Sequence, residues 1–242
     1  MHTVLINKDQ LDLINRFTHV YNKIDHSLRK TLKADNNLPF SRIVSEYAEY
    51  YPTWPKKDFL QKVGDVRNII VHNPEKEGDY LFVPITSVVE ELERICDSLL
   101  NPMRIYPKFK REVEKFQTTD TLYSVLKVIY EKEYSQFPVY KDKIFTGLLT
   151  ENGISRWLAN HAIDESPLIE FNEIQLSSVF LEEEKRENYS FVTRNMTMLD
   201  AENQFMQKPD MEALLITETG KHDQALLGIV TSWDIIQNRV GY

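Results

Sequence analysis

Two short strings in the second half of the chain combine residue types that can hold a sugar and its phosphates. Residues 147–150 (Gly-Leu-Leu-Thr) and 228–231 (Gly-Ile-Val-Thr) each end a hydrophobic strand pattern and precede a helix pattern. At such a junction the first backbone N–H groups of the helix have no partner, and the end of the helix dipole is positive. Together with the threonine hydroxyl, these groups suit hydroxyl and phosphate oxygens.

The elements around the two strings are predicted to repeat. The first copy comprises a helix capped by Asp120, strands over 136–140 and 144–149, and a helix over 151–160. The second copy comprises a helix over 199–207, strands over 211–217 and 225–230, and a helix that continues through Val240. The order helix, strand, strand, helix therefore occurs twice, which indicates a duplicated unit.

This repeat resembles the CBS domains, which pair head to tail in one chain to form a Bateman module. Their marker is Gly, two apolar residues, Ser or Thr, two variable residues, and Asp or Asn, and residues 228–234 fit it fully. The resemblance implies that Thr231 and Asp234 bond the ribose of an adenosine-containing ligand, beside Gly228 and Ile229. A carboxylate there can accept two charge-assisted hydrogen bonds.

The first copy departs from the marker at its last position. Thr150 matches the hydroxyl residue, but Gly153 stands where the marker has Asp or Asn, and Asn152 comes one residue early. We therefore expect one good ligand site, in the second copy, and one weak or lost site. The resemblance implies AMP, ADP, ATP or S-adenosylmethionine as the regulatory ligand, and no metal.

Arginines near each copy are candidate phosphate partners. Arg194 precedes the first helix of the second copy, and Arg156 lies in the last helix of the first copy. Both can equally be surface charges. In the same way, Thr231 can be only a helix N-cap, and Asp234 only a carboxylate that complements the helix dipole.

A second group of chemically competent residues occurs in the first half of the chain. Arg67, Asn68 and His72 fall in one predicted helix, before Pro74. Asn68 and His72 share a helix face, while Arg67 points about 100° away and relies on its length. A histidine can move protons near neutral pH, and an arginine can bind a phosphate and its developing charge. These types are suited to RNA cleavage without a metal.

The first half also resembles the HEPN superfamily, whose ribonuclease members carry Arg, a polar residue, three more positions and then His. Residues 21–29 (Tyr-Asn-Lys-Ile-Asp-His-Ser-Leu-Arg) are similar to the polar patch on the facing first helix of that family. The resemblance implies a homodimer with the catalytic groups at its interface, where Asn68 would orient the phosphate or the histidine. Three interpretations stay open: an active endoribonuclease, a binding domain without cleavage, and a structural dimer in which Arg67 pairs with Asp25 or Asp65.

Charge separates the two halves. Residues 1–104 carry 14 Lys and Arg against 15 Asp and Glu, whereas residues 105–242 carry 15 against 22. Prolines at 102 and 107 interrupt the helical pattern between them. We therefore predict a helical domain over 1–104 and a tandem CBS pair over 105–242, with units of about 105–165 and 166–242.

The predicted fold class is α + α/β: a four-helix, HEPN-like bundle followed by two units of helices and short sheets. The four helices are expected over 8–32, 41–50, about 56–71 and 84–100, from apolar positions at helical spacing. The single cysteine, Cys96, excludes an intramolecular disulfide and is expected in the core.

Two functions follow as expectations. In the first, an adenine nucleotide bound to the CBS pair controls a helical domain that cleaves RNA. In the second, the same nucleotide controls a non-enzymatic regulator that dimerises and acts on another partner. No basic stripe, leader or long apolar run is present in the sequence, so we expect a cytoplasmic protein that engages RNA only locally, with no DNA or membrane partner. The resemblance implies that this protein is a homodimer. The dimer is expected to form through the CBS pair, the helical bundle or both.

Overall fold

The computed structural model describes residues 7–72, 80, 82–163, 170–182 and 187–238, with the side chains of residues 71, 72 and 182 left out. The chain divides into two compact units. A helical unit extends to Met103, and a second unit begins at Arg104. No helix in the described ranges has the length and apolar character needed to cross a membrane.

Within its described residues, the first unit contains four helices, as the sequence predicted. They are α1 (Lys8–Leu32), α2 (Phe40–Tyr50), α3 (Lys57–His72) and α4 (Thr86–Leu100). The first begins at Lys8 because Asn7 and Gln10 exchange hydrogen bonds: Gln10 N donates to Asn7 Oδ1 over 2.8 Å, and Asn7 N donates to Gln10 Oε1 over 2.9 Å. It packs against α4 and α2, burying Phe17, Ile24 and Leu28.

The second unit alternates helices with short strands. Its elements are α5 (Ile105–Lys108), β1 (Phe116–Gln117), α6 (Leu122–Lys132), β2 (Gln136–Lys141), β3 (Ile144–Thr150), α7 (Glu151–Ile163), α8 (Leu176–Val179), β4 (Tyr189–Thr193), α9 (Met198–Gln207), β5 (Ala213–Thr217), β6 (Gly228–Thr231) and α10 (Ser232–Gln237). The predicted repeat of helix, strand, strand and helix is confirmed as α6-β2-β3-α7 and α9-β5-β6-α10.

Each copy carries one three-stranded sheet, with orders β1-β2-β3 and β4-β5-β6. The first two strands of each sheet run parallel and the last two antiparallel. In the second sheet Ala213 lies opposite both Tyr189 and Thr231, so the start of β5 and the last residue of β6 lie at the same end of the sheet. Thr231 therefore lies at this end of the sheet, where α10 begins.

Several predicted boundaries were wrong. Thr121, and not Asp120, caps α6: Ser124 N donates to Thr121 Oγ1 over 3.4 Å, while Asp120 accepts from Gln117 N. The strands predicted from 211 and 225 begin at Ala213 and Gly228. The last helix ends at Gln237 within the described residues, and Val240, to which the prediction extended it, lies outside them. The edge strands β1 and β4 were not predicted, because their pairing is set by distant partners and not by a local pattern.

The segments before each copy pack on the other copy. Ile105 and Phe109 lie in the core of the β4-β5-β6 sheet, and Leu176 and Val179 lie in the core of the β1-β2-β3 sheet. The backbone contacts are equivalent: Ile105 N donates to Met196 O over 3.0 Å, and Leu176 N donates to Asp120 O over 2.8 Å. The segment that precedes each copy therefore packs in the core of the other copy. Residues 104–111, which precede the first copy, lie against the β4-β5-β6 sheet.

Close approach explains the glycine that starts β6. A Cβ atom at Gly228 would lie 2.1 Å from the backbone oxygen of Phe109, and Lys110 forms a bridge with Gly228. At Gly147, the equivalent position, a Cβ atom would lie 2.3 Å from the ring of Phe180. The glycine of each string is therefore required by the close approach of the segment that precedes one of the two copies.

Candidate functional site

The junction between β6 and α10 is held by reciprocal hydrogen bonds between Thr231 and Asp234. Asp234 N donates to Thr231 Oγ1 over 3.2 Å, and Thr231 N donates to Asp234 Oδ2 over 2.8 Å. The Thr231 hydroxyl also donates to Asp234 Oδ2 over 3.0 Å. This is a capping box, so the helix-cap role that the sequence allowed for both residues is present.

Arg111 supplies a third donor to the same carboxylate. Its Nη2 donates to Asp234 Oδ2 over 2.7 Å, and its Nε donates to Ile229 O over 3.0 Å. All hydrogen bonds that the Asp234 carboxylate accepts from described residues fall on Oδ2, which leaves Oδ1 as an acceptor within that part of the chain. The Asp234 side chain keeps 20% of its surface exposed.

A pocket of about 330 Å³ opens in front of this junction. One wall is residues 111–114, a second is residues 133–136 of the first copy, and the third comprises Glu212 and residues from Ile229 to Asp234. Trp233 lies at the pocket with 63% of its surface exposed, in contrast to the buried Trp54 and Trp157. A volume of this size is at the lower end of those found for small-molecule sites.

The pocket brings together Ile229, Thr231 and Asp234, three of the residues that the sequence analysis named as ligand-binding candidates, with Gly228 adjacent in β6. It does not include Arg194, because β4 runs parallel to β5 and places Arg194 at the opposite edge of the sheet from Thr231. There the guanidinium of Arg194 contacts Glu218 over 3.2 Å and lies 4.2 Å from the ring centre of Tyr106. Arg194 therefore lies outside this pocket, and its role as a phosphate partner stays a prediction.

The first copy has the same junction without the carboxylate. Thr150 is buried, and its Oγ1 accepts from Gly153 N over 3.1 Å, so it caps α7 as Thr231 caps α10. No acidic side chain follows at the position equivalent to Asp234, since Gly153 stands there. Neither Thr150 nor Arg156 lines the pocket at Asp234.

Several pocket residues were not found from the sequence. Arg111 lies near the start of the first predicted unit, outside any motif, and its contact with Asp234 joins residues far apart in the chain. Tyr134 and Glu212 lie in turns that precede β2 and β5. The internal repeat could have indicated these residues. Tyr134 and Glu212 occupy equivalent positions in the two copies, directly before the middle strand of each sheet.

The helical unit contains a second pocket of about 330 Å³, between α1 and α3. Arg67 and Asn68 line it together, with Tyr21, Asn22 and Asp25 on the facing helix. The Arg67 guanidinium lies 5.5 Å from the ring centre of Tyr21. Burial, and then the Asp25 charge, raise the pKa of Tyr21 to about 12, so this phenol stays neutral at ordinary pH.

The Asp25 carboxylate is bound by Arg29. Nε of Arg29 lies 2.9 Å from both Asp25 oxygens, and its other nitrogens donate to the backbone oxygens of Asp35 and Leu38. Arg29 therefore fastens the turn between α1 and α2, a structural role for one residue of the predicted polar patch. The backbone of His72 ends α3, but its side chain lies outside the described residues, so its position relative to Arg67 and Asn68 stays a prediction.

Comparison with known proteins identifies the end of the chain. The sequence of residues 185–241 matches the CBS domain family, and this stretch contains Thr231, Asp234 and the three strands β4, β5 and β6. This part of the chain is a CBS domain. No curated protein matches the chain, and no match supports the HEPN resemblance of the helical unit.

Solved structures with CBS domains are similar to this chain. The CBS domain of a membrane protein from Sphaerobacter thermophilus is 17% identical, with a TM-score of 0.46, over 64% of this chain and 99% of the other. The CBS domain of a bacterial CNNM/CorC family Mg²⁺ transporter in complex with ATP is 19% identical, with a TM-score of 0.42, over 63% of this chain and 96% of the other. The CBS domains of a transcriptional regulator from Streptococcus pneumoniae are 23% identical, with a TM-score of 0.36, over 54% and 95%.

Proposed function

We propose that the protein is a regulatory sensor of an adenosine-containing ligand, which binds in the pocket at the start of α10. Residues 105–242 form the tandem CBS pair in this proposal. The observation that supports it is the convergence of Thr231, Asp234 and the Ile229 carbonyl on one pocket of about 330 Å³. The described ranges hold no group of three His, Cys, Asp or Glu side chains placed to bind a metal ion.

The ribose would be recognised by the Asp234 carboxylate. Its Oδ1 can accept one hydroxyl hydrogen bond directly, and Oδ2 can accept a second when Arg111 withdraws. Hydrogen bonds to an ionised carboxylate are about twice as strong as neutral ones, so one acid can anchor a small ligand. AMP, ADP, ATP and S-adenosylmethionine all carry the required pair of hydroxyls.

Ligand binding would affect the rest of the protein through residues 111–114, which form one wall of the pocket. Residues 111–114 line the pocket and follow the helical unit, which ends at Met103, after only a few residues. A ligand that displaces Arg111 from Asp234 changes the contacts that hold this segment on the second sheet. Ligand binding shifts the equilibrium only as far as the ligand prefers one arrangement of the segment over the other.

Thermal unfolding with adenosine compounds tests the proposal. We expect AMP, ATP or S-adenosylmethionine to raise the midpoint of the native chain, since a ligand at 100 times its Kd adds about 2.7 kcal/mol of stability. Asp234→Ala should remove most of this rise, as should Asp234→Asn, which keeps the size of the side chain. Asp223→Ala, an exposed acid outside the pocket, is the matched control. A ligand-induced rise that is the same in Asp234→Ala as in the native chain would contradict the proposed site.

A metal-independent ribonuclease activity of the helical unit is the second candidate. The observation in its favour is that Arg67 and Asn68 share one pocket with the polar side chains of Tyr21, Asn22 and Asp25. Such a pocket offers a cation for a phosphate and amide groups to orient it, with His72 as the proton-transfer group. A homodimer would place two such sites at one interface.

Cleavage of RNA by the native chain, in buffer with a chelator, tests the ribonuclease. We expect activity that is lost in His72→Ala and in Arg67→Ala, and that changes when the adenosine ligand is added. Asn37→Ala, in the exposed turn after α1, serves as a control. Activity that persists in His72→Ala would indicate a contaminating nuclease. Absence of activity would leave the non-enzymatic alternative, a dimeric regulator that acts on another partner.

A further inference from the structure

Acidic side chains predominate among the charged residues that line the pocket at Asp234. Five acidic side chains line it, and among its described lining residues one side chain is basic. The acids are Glu112, Glu114, Glu133, Glu212 and Asp234, and the base is Arg111.

The positive charges at this pocket are already engaged. Arg111 donates to Asp234 Oδ2 over 2.7 Å and to the Ile229 carbonyl. Lys132, just before the second wall, forms an ion pair with Glu114. Each of these two cations is therefore already paired with an acidic side chain in this arrangement, which reduces the net positive charge that it offers to a phosphate.

Within the described part of the chain, Glu112, Glu133 and Glu212 form no ion pair, although Glu112 still interacts electrostatically with Lys132. Like charges repel at short range, and a concave site with walls of low dielectric strengthens the local potential. A ligand with several phosphate charges is therefore repelled from this pocket, and a ligand with a positive group is attracted.

We propose that the pocket selects its ligand by charge: it takes an adenosine compound whose 5′ substituent is neutral or positive, such as a sulfonium nucleoside, and excludes nucleoside polyphosphates. The inference rests on the proposed function, because it assumes that Asp234 binds the ribose. It assigns Glu212, together with Glu112 and Glu133, as specificity-determining residues.

Calorimetric titrations with four probes test the inference: adenosine, AMP, ATP and S-adenosylmethionine, each in a buffer that contains a chelator and no divalent cation. We expect adenosine and S-adenosylmethionine to bind at least about tenfold more tightly than ATP, because each added phosphate charge is opposed by the acidic walls. AMP should bind with intermediate affinity.

Substitutions at Glu212 then separate charge from shape. Glu212→Gln, which removes one negative charge near the ligand, should lower the ratio of the ATP dissociation constant to the adenosine dissociation constant about threefold. Glu212→Lys, which changes the charge by two units, should lower this ratio about tenfold. Glu173→Gln, an exposed acid that does not line the pocket, should leave the ratio unchanged.

The outcomes distinguish this inference from the proposed function. ATP that binds as tightly as adenosine to the native chain would overturn charge selection and leave adenosine sensing in place. A ratio that does not change in Glu212→Lys would overturn the role of Glu212. If none of the four probes binds, both the inference and the proposed function fail.

Discussion

Removing the guanidinium of Arg111 should strengthen the binding of adenosine. In the ligand-free arrangement, Asp234 Oδ2 accepts from Arg111 Nη2 over 2.7 Å and twice from Thr231, over 2.8 and 3.0 Å. The arginine thus occupies the place of one ligand hydroxyl, and a ligand must compete with a group tethered to the same chain. Arg111→Met keeps the apolar stem and removes this competitor.

The size of the effect follows from the exposure of the pair. The side chains of Arg111 and Asp234 keep 35% and 20% of their surface exposed. A fully buried charged hydrogen bond contributes about 1.5–3 kcal/mol, but partly exposed ion pairs contribute about 1 kcal/mol or less. A gain of about 1 kcal/mol lowers the dissociation constant about fivefold.

Isothermal titration of adenosine into the native chain, Arg111→Met and Arg104→Met provides the measurement. Arg104 is the matched control, because it lies in the same segment and donates to Asn195 Oδ1 over 2.7 Å, outside the pocket. We expect tighter binding only in Arg111→Met. Weaker binding in that variant would show that Arg111 holds the ligand, and unchanged binding would show that the ion pair does not compete with it.

Two further predictions concern packing and protonation. Gly228→Ala should lower the free energy of unfolding of the second unit by about 1–3 kcal/mol in urea unfolding, because the added Cβ atom meets a backbone oxygen. Gly147→Ala should cost less, because its Cβ atom meets the ring of Phe180, which can move. Equal losses of stability in the two variants would contradict this prediction. The free energy of unfolding should fall by on the order of 2 kcal/mol between pH 10 and 12, because the folded pKa of Tyr21, about 12, lies above its ordinary value of 10.0, so the folded state retains a proton that the unfolded state loses. Tyr21→Phe should show less of this fall, and an identical pH profile in that variant would refute the assignment.

Local pattern was enough to predict most of the helices. The first helix, α1, begins and ends where the sequence indicated, because the polar Asn7 and the apolar side chains that follow act within a few residues of one another. Strands β2 and β3 were predicted for the same reason, since a short turn joins them. In contrast, β1 has only two residues and pairs with β2 across α6, so nothing near Phe116 in the sequence marks it as a strand.

Of the candidate site, the sequence predicted only the residues of one motif, residues 228–234. Thr231 and Asp234 lie within one turn of each other, and their spacing alone places both at the start of a helix. Arg111 reaches them from a segment more than a hundred residues earlier, and the placement of Arg194 depends on the parallel pairing of β4 with β5. Such placements follow from the pairing of strands, which residue spacing does not determine.

A crystal structure of the chain grown with adenosine would test the central claim most directly. The account predicts a nucleoside in the pocket at the start of α10, with its ribose hydroxyls within hydrogen-bond distance of the Asp234 carboxylate and with Arg111 moved away from Oδ2. Adenosine bound elsewhere, while Arg111 still occupies Asp234, would contradict it.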